Sequence, residues 1–584
     1  MTRTKILLGF LAVAASSASL LAVQAASAQD SPIDNLTPVT DEMLVDPPDG
    51  DWLMWRRTYD GWGYSPLEEI NKDNVGDLQL AWAWGMSPGG RSQETPLVHD
   101  GILYLQNSTH LIQALDGATG DLIWEYEYEL SEGTNPSGQR SKAIYEDKLI
   151  IATRDAHLVA LDAKTGQLIW DKQVANPEFG YSFSSGPIVA NGVVVQGMTG
   201  CGGGQPGGCF ITGHDVETGE ELWRVNTIAR GDTAEGNSWN GLPVESRHGG
   251  SAWISGSYDP EQNLIFAGVG QPYPWIAEIS GLLPESSEEG VTNDALYTNS
   301  TLAIVPETGE LKWYHQYLPN DSLDLDYVYE RMLIDLPFNG EDRQMVVTTG
   351  KLGIIEAIDR VSGEWLWAQE TVPQNVVASI DEETGEKTIN PDTIPHIGET
   401  TFNCPADPGG RAWQATAYSP RTQMLYLPTV EFCSNTTPNP LDPGEIYTGG
   451  GMATFARVPH PDGDGNIGQV RAIDMTDQSE AWQYRQRPAV TSSTLPTGGG
   501  VVFVGSLDRK FMALDDETGE VLWESGPLSN SLESFPISYE AGGKQYVAVV
   551  ANWASGLGRL ASLTPDIRLP PDNPATLYVF ALPD

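Results

Sequence analysis

The chain of 584 residues is poor in basic residues. It has 32 Lys and Arg against 79 Asp and Glu, which gives a formal net charge of −47. This balance argues against a general nucleic-acid-binding protein. It is typical of a solvated acidic surface, and it is also compatible with a basic partner protein. Beyond the N-terminus no apolar run is long enough to span a bilayer, so we expect no transmembrane segment.

Several common catalytic motifs are also missing. The sequence contains no Gly-x-Ser-x-Gly, no His-Glu-x-x-His and no Gly-x-x-x-x-Gly-Lys-Ser/Thr. The glycine-rich stretch 200–208 has no Lys and leads into a second predicted strand, which argues against a phosphate-binding loop. No Cys-x-x-Cys-His occurs, so we expect no covalently attached haem c on these residues.

The N-terminus has the pattern of an export signal peptide, predicted over residues 1–28. Arg3 and Lys5 precede a mostly apolar segment at 6–21, and Ala-Ser-Ala at 26–28 is a small-residue cleavage site. The alternative, a membrane anchor, is disfavoured because the apolar segment is short and diluted by Ala and Ser. We therefore expect a periplasmic protein.

Cysteine is scarce, with four residues in the chain. In an exported protein four cysteines predict two disulfides. One pair closes a small glycine-rich loop and the other takes the two remaining cysteines, which gives Cys201–Cys209 and Cys404–Cys433.

One phrase recurs along the chain. It reads Ala114-Leu-Asp-Gly-Ala-Thr-Gly-Asp-Leu-Ile-Trp124 in its first clear copy. Asp and Thr can bond the backbone of a tight turn, Gly supplies a positive φ, and the following strand brings Trp to a fixed offset. Copies that end in Trp predict one supersecondary unit per repeat, and these tryptophans are Trp84, Trp124, Trp170, Trp223, Trp313, Trp367, Trp482 and Trp523.

The repeat predicts an all-β fold, an eight-bladed β-propeller with tryptophan-docking repeats. We expect a single propeller domain over 51–584, preceded by an N-terminal extension at 29–50. A solenoid is the alternative, but it would require even spacing and capping repeats. The strand-like C-terminal segment 577–581 instead favours a closed ring. The intervals 223–313 and 367–482 are too long for one blade, and long inserts on a rigid scaffold are typical sites of binding and catalysis.

From about Asp51 to the C-terminus the sequence resembles the exported quinoprotein alcohol dehydrogenases, which use pyrroloquinoline quinone (PQQ). The Asp-x-x-Thr-Gly-x-x-x-Trp phrase is similar to the tryptophan-docking motif of that family. Two segments, Thr37-Pro-Val-Thr-Asp41 and Cys209-Phe-Ile-Thr-Gly-His-Asp215, are similar to the sorbose/sorbosone dehydrogenase branch. The resemblance implies a periplasmic enzyme that oxidises an alcohol or sugar hydroxyl to a carbonyl.

On this interpretation electrons leave through a separate cytochrome c-type acceptor, because the chain has no haem motif. Two alternatives share the repeat. One is a cofactor-free propeller that acts as an interaction scaffold of the cell envelope, and the other is a polysaccharide-binding or lyase propeller.

The resemblance also implies cofactor-binding residues. Trp253, in Gly249-Gly-Ser-Ala-Trp253, matches the floor under the flat quinone, and Arg140 matches the partner of its carboxylates. Lys351 matches the cation beside the reactive carbonyls, where it would stabilise developing negative charge. The other positions that match cofactor contacts are Glu94, Ser184, Thr199 and Trp413.

The implied catalytic base is Asp324, which would accept the hydroxyl proton of the substrate. Asp326 lies where lanthanide-using members carry an additional Asp, and Gln271 replaces the usual Asn of the metal site. The loop 201–209 lacks the usual metal-binding Glu, so the metal is expected to be Ca²⁺ or a lanthanide. Trp275 and Trp553 are expected to wall the substrate pocket.

Overall fold

Strands dominate the computed structural model, which describes residues 32–86, 92–201, 207–231, 234–440, 452–552, 557–570 and 573–584. The predicted signal peptide lies outside these residues. None of the described helices has the length and apolar character needed to cross a membrane.

Each copy of the repeated phrase from the one ending at Trp124 onward forms the outer hairpin of a four-stranded antiparallel sheet. In the first sheet Asp116 Oδ1 accepts hydrogen bonds from the N–H groups of Ala118 and Thr119, at 2.8 and 3.1 Å. Gly120 follows at φ +76°, a backbone conformation that a β-carbon disfavours. The turn residues therefore have the roles that the sequence predicts.

The described residues form eight such sheets. Their strands are, in sheet 1, Leu97–His99, Ile102–Gln106, Leu111–Asp116 and Leu122–Glu127; in sheet 2, Ala143–Tyr145, Lys148–Ala152, His157–Asp162 and Leu168–Gln173; in sheet 3, Ile188–Ala190, Val193–Gly197, Phe210–Asp215 and Glu221–Asn226; in sheet 4, Ser257–Asp259, Leu264–Gly268, Ser300–Ile304 and Leu311–Gln316; in sheet 5, Met332–Phe338, Glu341–Thr349, Ile354–Asp359 and Trp365–Glu370; in sheet 6, Ala417–Ser419, Met424–Val430, Gly468–Asp474 and Glu480–Gln486; in sheet 7, Leu495–Pro496, Val501–Gly505, Phe511–Asp515 and Val521–Glu524; and in sheet 8, Ile537–Ala541, Lys544–Ala551, Thr576–Ala581 and Gln79–Gly85.

Sheet 8 joins the two ends of the repeat array. Its outer strand, Gln79–Gly85, comes from the N-terminal part of the chain and pairs with the C-terminal strand Thr576–Ala581. Closure of this kind removes the free edge that an open array of sheets would expose. It agrees with the predicted closed ring rather than with a solenoid.

Smaller elements lie between the sheets. The α-helices are Asp41–Val45 and Ala277–Ser280. The 3₁₀ turns are Pro32–Asn35, Val75–Asp77, Pro177–Phe179, Ala234–Ser238, Val244–Ser246, Pro391–Thr393 and Leu557–Leu563. The two long inserts add a pair His248–Gly249 with Pro272–Tyr273, a hairpin Val377–Ile380 with Lys387–Ile389, and a three-stranded sheet of Thr401–Asn403, Phe432–Pro438 and Ala453–Pro459. The predicted disulfides Cys201–Cys209 and Cys404–Cys433 are both present.

Tryptophan docking joins neighbouring sheets. Trp124 of sheet 1 donates from Nε1 to the carbonyl oxygen of Ala163 in sheet 2 at 3.1 Å, and Trp170 of sheet 2 donates to Val216 of sheet 3 at 3.0 Å. The indole also covers the glycine of the next turn, so that a β-carbon at this glycine would overlap the ring. The pairs with this geometry are Gly120 with Trp82, Gly166 with Trp124, Gly219 with Trp170, Gly309 with Trp223, Gly363 with Trp313 and Gly519 with Trp482.

The docking residue of sheet 8 is Trp82, so the sequence-based choice of Trp84 was wrong. Trp82 Nε1 donates to the carbonyl oxygen of Gly117 at 3.2 Å, whereas Trp84 Nε1 donates to the Gln113 side chain at 3.0 Å. The physical reason is a β-bulge between Leu80 and Trp82. In sheet 1 the corresponding bulge lies between Leu122 and Trp124. In both sheets the docking tryptophan therefore directly follows the bulge.

The loops that leave the outer strands lie at one end of the sheets. In sheet 1 the hairpin turns at Gly101 and Gly117 adjoin each other, with the Gly117 N–H bonded to the Gly101 carbonyl oxygen at 2.8 Å. At the other end the N–H of Tyr128 bonds the carbonyl oxygen of His110 at 3.1 Å. Loops that follow the outer strands, including those with Arg140, Ser184 and Asp324, therefore start from the end opposite the Thr-Gly turns.

We predict that Gly166→Ala lowers the free energy of unfolding by about 2–4 kcal/mol, as measured by chemical denaturation. A β-carbon at residue 166 would lie 2.5 Å from Trp124 Cε3, and the residue has φ +70°. Gly133→Ala is the matched control, because Gly133 has φ +86° but a β-carbon there would meet no heavy atom within 4 Å. The control should lose only about 1–2 kcal/mol, and equal losses in the two variants would contradict the docking contact.

Candidate active site

Trp253 and Arg140 form the first part of the site. The Arg140 Cζ lies 4.7 Å from the centroid of the Trp253 ring, within cation–π range. Arg140 Nη1 donates to the carbonyl oxygen of Ser184 at 2.8 Å, and the ring of Tyr329 packs edge-on against Trp253 with centroids 5.3 Å apart. Trp253 itself is only partly buried.

The guanidinium of Arg140 has no ion-pair partner among the described residues. Its Nε is buried and has no hydrogen-bond acceptor there. Burial lowers the pKa of Arg140 to about 9, because the charge has lost water without gaining a carboxylate. A largely buried cation of this kind is a site for an anion.

The other predicted cofactor residues adjoin this pair. The N–H of Thr95, next to Glu94, bonds the carbonyl oxygen of Arg140 at 3.0 Å. The N–H of Ala252 bonds the carbonyl oxygen of Met198 at 3.0 Å, which places Thr199 beside the Trp253 segment.

Glu94 is fully buried and forms an ion pair with Lys142, which is also buried. Its Oε1 also accepts from the N–H of Gln106 at 3.0 Å, while Oε2 has no donor in the described part of the chain. Burial raises the pKa of Glu94 to about 7. The residue that pairs with Glu94, Lys142, had no sequence signal beyond its place two residues after Arg140.

Asp324, Asp326 and Lys351 form the second part of the site. Lys351 Nζ lies 2.9 Å from Asp324 Oδ1 and 3.0 Å from Asp326 Oδ2. It also donates to the carbonyl oxygen of Asp324 at 2.8 Å. All three side chains are at most 8% exposed, so the two carboxylates share one buried cation.

The charges of this cluster act on one another. Burial, together with the carboxylates of Asp326 and Asp407, raises the pKa of Asp324 to about 8 against the lowering effect of Lys351. Burial disfavours the ammonium of Lys351, but the carboxylates of Asp324 and Asp326 outweigh burial and hold the pKa of Lys351 well above its usual value.

Gln271 joins the two carboxylates from the insert in sheet 4. Its Nε2 donates to Asp324 Oδ1, and its backbone N–H donates to Asp326 Oδ1 at 3.2 Å. The side-chain Oε1 is buried and finds no donor among the residues described. Gly270 is required beside it, because a β-carbon there would lie 2.5 Å from Asp326 Oδ1.

Tyr329 lies between the two parts of the site. It packs on Trp253, and it is close enough to Lys351 and Asp326 for their charges to act on its pKa, which burial raises well above the usual value. Arg411 also contacts the ring of Tyr329, with its Cζ 4.9 Å from the ring centroid. Tyr329 therefore links Trp253 to the cluster of Asp324, Asp326 and Lys351.

The segment around Trp413 covers Lys351. The N–H of Gly410 bonds the carbonyl oxygen of Lys351 at 2.8 Å, and a β-carbon at Gly409 would lie 2.6 Å from Lys351 Cβ. Trp413 is buried, and its Nε1 has no acceptor within the described residues.

The sequence missed several charged residues of this region. Asp407 pairs with Arg457 at 2.9 Å and with Arg559, and Glu330 forms a buried ion pair with Arg411. These pairs join residues 50 to 152 positions apart. Spacing along one sequence carries no signal for such contacts.

The two tryptophans predicted to wall the substrate pocket are Trp275 and Trp553. Trp275 is fully buried and packs against Phe455 with ring centroids 6.4 Å apart. Trp553 lies outside the described residues. Their contact with a substrate stays a prediction.

Comparison with known proteins identifies the family. Residues 52–390 and 464–547 match the PQQ family, which is described as the β-propeller domain of glucose, ethanol and alcohol dehydrogenases. The chain is 31% identical over 547 residues to the quinohemoprotein alcohol dehydrogenase ADH-IIG of Pseudomonas putida. This alignment covers 89% of this chain and 74% of that protein. The chain is 29% identical over 581 residues to the quinoprotein alcohol dehydrogenase PedH of the same species, and this alignment covers 93% of both chains.

A solved structure shows the same fold. The europium-containing methanol dehydrogenase superposes with a TM-score of 0.81 at 27% identity, over 93% of this chain and 100% of that chain. The family match confirms the predicted propeller and decides against the cofactor-free scaffold and the polysaccharide lyase. The chain thus belongs to the PQQ-dependent alcohol dehydrogenases, and it is an enzyme of that family.

Proposed function

We propose that the chain is a periplasmic dehydrogenase of alcohol or sugar hydroxyls, with PQQ on Trp253, a Ca²⁺ or lanthanide ion at Asp324 and Asp326, and a cytochrome c-type protein as electron acceptor. The observation that carries this proposal is the position of Lys351 between two buried carboxylates, joined through Tyr329 to Trp253. We further propose that residues 51–584 form one domain and that the eight sheets are its blades. The sorbose/sorbosone branch stays a prediction.

The residues around Trp253 fit PQQ, a planar quinone with three carboxylates. Trp253 offers a partly buried aromatic ring, and Arg140 is a cation that has no carboxylate partner in the described part of the chain. Four residues of the candidate site also have a buried polar atom without a partner among the described residues, namely Arg140 Nε, Glu94 Oε2, Tyr329 OH and Trp413 Nε1. Atoms like these are costly to leave unpaired, so a polar ligand is the simplest explanation for them.

The residues around Asp324 fit a hard metal ion. Asp324, Asp326 and the unpartnered Oε1 of Gln271 are oxygen donors, the type that Ca²⁺ prefers. Calcium takes about 6–8 oxygen ligands, so these side chains supply part of the shell. Two carboxylates in place of one suit an ion of higher charge, and the similarity to a europium-containing enzyme supports a lanthanide as the second candidate.

The chain's own residues then divide the chemistry. Bound PQQ supplies the quinone that accepts hydride from the substrate carbon. The carboxylate of Asp324 accepts the hydroxyl proton of the substrate. This proton must be removed for the alcohol to release hydride. Lys351 stabilises negative charge that develops beside it, and it does so in a buried site where such charge is poorly solvated. Trp253 and Arg140 hold the cofactor in orientation.

The proposals of an external electron acceptor and of a periplasmic location rest on the sequence. The four cysteines are all in disulfides, and the given residues contain no haem-attachment motif. An external redox protein is therefore proposed to take the electrons. The net charge of −47 favours a basic one.

We predict that Asp324→Asn lowers dye-linked dehydrogenase activity by about 10²- to 10⁴-fold, the usual contribution of a general base. The protein is loaded with PQQ plus Ca²⁺, or with PQQ plus La³⁺, and reduction of an artificial dye is followed with a panel of alcohols and sugars. Asp342→Asn, on an exposed hairpin of sheet 5, is the control and should keep wild-type activity. Near-full activity of Asp324→Asn would show that the base is elsewhere, and no activity with either metal would contradict the proposed site.

We predict that Arg140→Met weakens PQQ binding about 10- to 100-fold, because charge-assisted hydrogen bonds contribute about 1.5–3 kcal/mol. Binding is measured by the quinone absorbance that is retained after desalting over a series of PQQ concentrations. The cofactor-free variant should be at least as stable as the wild type, since it no longer buries an unpaired cation. Arg224→Met, at a surface ion pair, is the control. Wild-type PQQ affinity in Arg140→Met would remove Arg140 from the cofactor site.

A further inference from the structure

The backbone at Asp324 is in a conformation that needs support from its surroundings. Asp324 has φ +62°, in the left-handed region that residues with a β-carbon seldom adopt. Such a residue persists only where neighbouring contacts determine its geometry. Lys351 provides part of this support, because its Nζ donates to the Asp324 carbonyl oxygen at 2.8 Å and its N–H donates to that of Asp326 at 2.9 Å.

The remaining support comes from Asp321. Its Oδ1 accepts from the N–H of Leu323 at 2.9 Å, and its Oδ2 accepts from the N–H of Leu325 at 2.6 Å. One carboxylate thus accepts from the backbone N–H groups of both sequence neighbours of Asp324, Leu323 and Leu325. Asp321 is 2% exposed, so these bonds do not compete with water.

Asn299 extends this support to the neighbouring loop. Its Nδ2 donates to Asp321 Oδ2 at 3.2 Å, and its Oδ1 accepts from the N–H of Tyr327 at 3.1 Å. Its backbone N–H donates to the carbonyl oxygen of Gly270 at 3.0 Å. Asn299 therefore ties the Gly270–Gln271 turn to the loop that carries Asp324 and Asp326.

We propose that Asp321, supported by Asn299, is the positioning residue that sets the geometry of Asp324 and Asp326. The inference rests on the proposed role of Asp324 as the base. Asp321 acts through the backbone, because both of its oxygens are occupied by N–H groups of its own loop and of Asn299.

The chemistry of the three donors requires a carboxylate at residue 321. Three N–H groups converge on its two oxygens, and a carboxylate has only acceptors. An Asn at this position would keep one acceptor oxygen and turn an NH₂ group toward another donor. The isosteric change Asp321→Asn therefore breaks the support of the loop with almost no change in volume.

The test compares Asp321→Asn with Ser322→Ala, a control in the same loop whose hydroxyl takes no part in these bonds. Both proteins are loaded with PQQ plus Ca²⁺ or La³⁺, and kcat and KM for dye-linked alcohol oxidation, retained quinone absorbance and the melting temperature are measured. Asp321→Asn should lower kcat at least about 10-fold, as expected for misplacement of a reacting group. KM and quinone retention should change less than about 3-fold, and Ser322→Ala should match the wild type.

Asn299→Ala gives a second route to the same answer. It removes the amide that holds Asp321 and the loop at Tyr327, and it should lower kcat in the same direction by a smaller factor. In the double variant with Asp321→Asn the loss should be less than the product of the single losses, because both act on one network. If Asp321→Asn fails to fold, the kcat of Asn299→Ala decides.

Asp324→Asn is measured in parallel to separate the two proposals. If Asp324→Asn is inactive while Asp321→Asn and Asn299→Ala keep kcat within about 2-fold of the wild type, the positioning role is wrong and the base stands. A matching fall in quinone retention and melting temperature, with kcat per bound quinone unchanged, would also overturn it. Activity in Asp324→Asn itself would instead remove the base on which the proposal rests.

Discussion

The contact between an outer-strand indole and the glycine turn of the next sheet fixes how neighbouring sheets meet. Among the described residues, six turn glycines lie so close to an indole of the preceding sheet that a β-carbon would overlap it, from Gly120 beneath Trp82 to Gly519 beneath Trp482. Five of these six indoles also donate their N–H to a carbonyl oxygen of the next sheet, as Trp124 does with Ala163. The Nε1 of the sixth, Trp313, has no acceptor among the described residues. Because these contacts lie at the Thr-Gly end, the loops at the opposite end are free to carry the site. The long inserts can vary there without disturbing the contacts between sheets.

The site itself depends on incomplete charge pairing. Arg140 is a cation with no carboxylate partner among the described residues, whereas Asp324 and Asp326 are two carboxylates that share the cation of Lys351. Each imbalance disfavours the empty protein, and each would be relieved by the proposed ligand of opposite sign, PQQ at Arg140 and a metal ion at the Asp pair. Binding of either proposed ligand should therefore stabilise the fold.

The repeated phrase was sufficient to predict the four-stranded sheets, since its turn residues and its Trp act within one hairpin and its neighbour. It could not choose between Trp82 and Trp84, because residues two apart lie on the same face of a strand and only the bulge at Leu80 distinguishes them. In the site, the resemblance to a family supplied Trp253, Arg140, Asp324 and Lys351. It supplied neither Asp321 nor Asn299, which act through backbone N–H groups, nor Asp407, whose partners lie 50 and 152 residues away.

The most direct measurement is a crystal structure of the chain prepared with PQQ and either Ca²⁺ or La³⁺. We expect the quinone plane to stack on Trp253 at about 3.5 Å, the van der Waals separation of carbon atoms. We also expect a cofactor carboxylate bonded to Arg140, and the metal ion bound by Asp324, Asp326 and Gln271. A quinone bound away from Trp253, or a metal ion without Asp324 among its ligands, would contradict the proposed site.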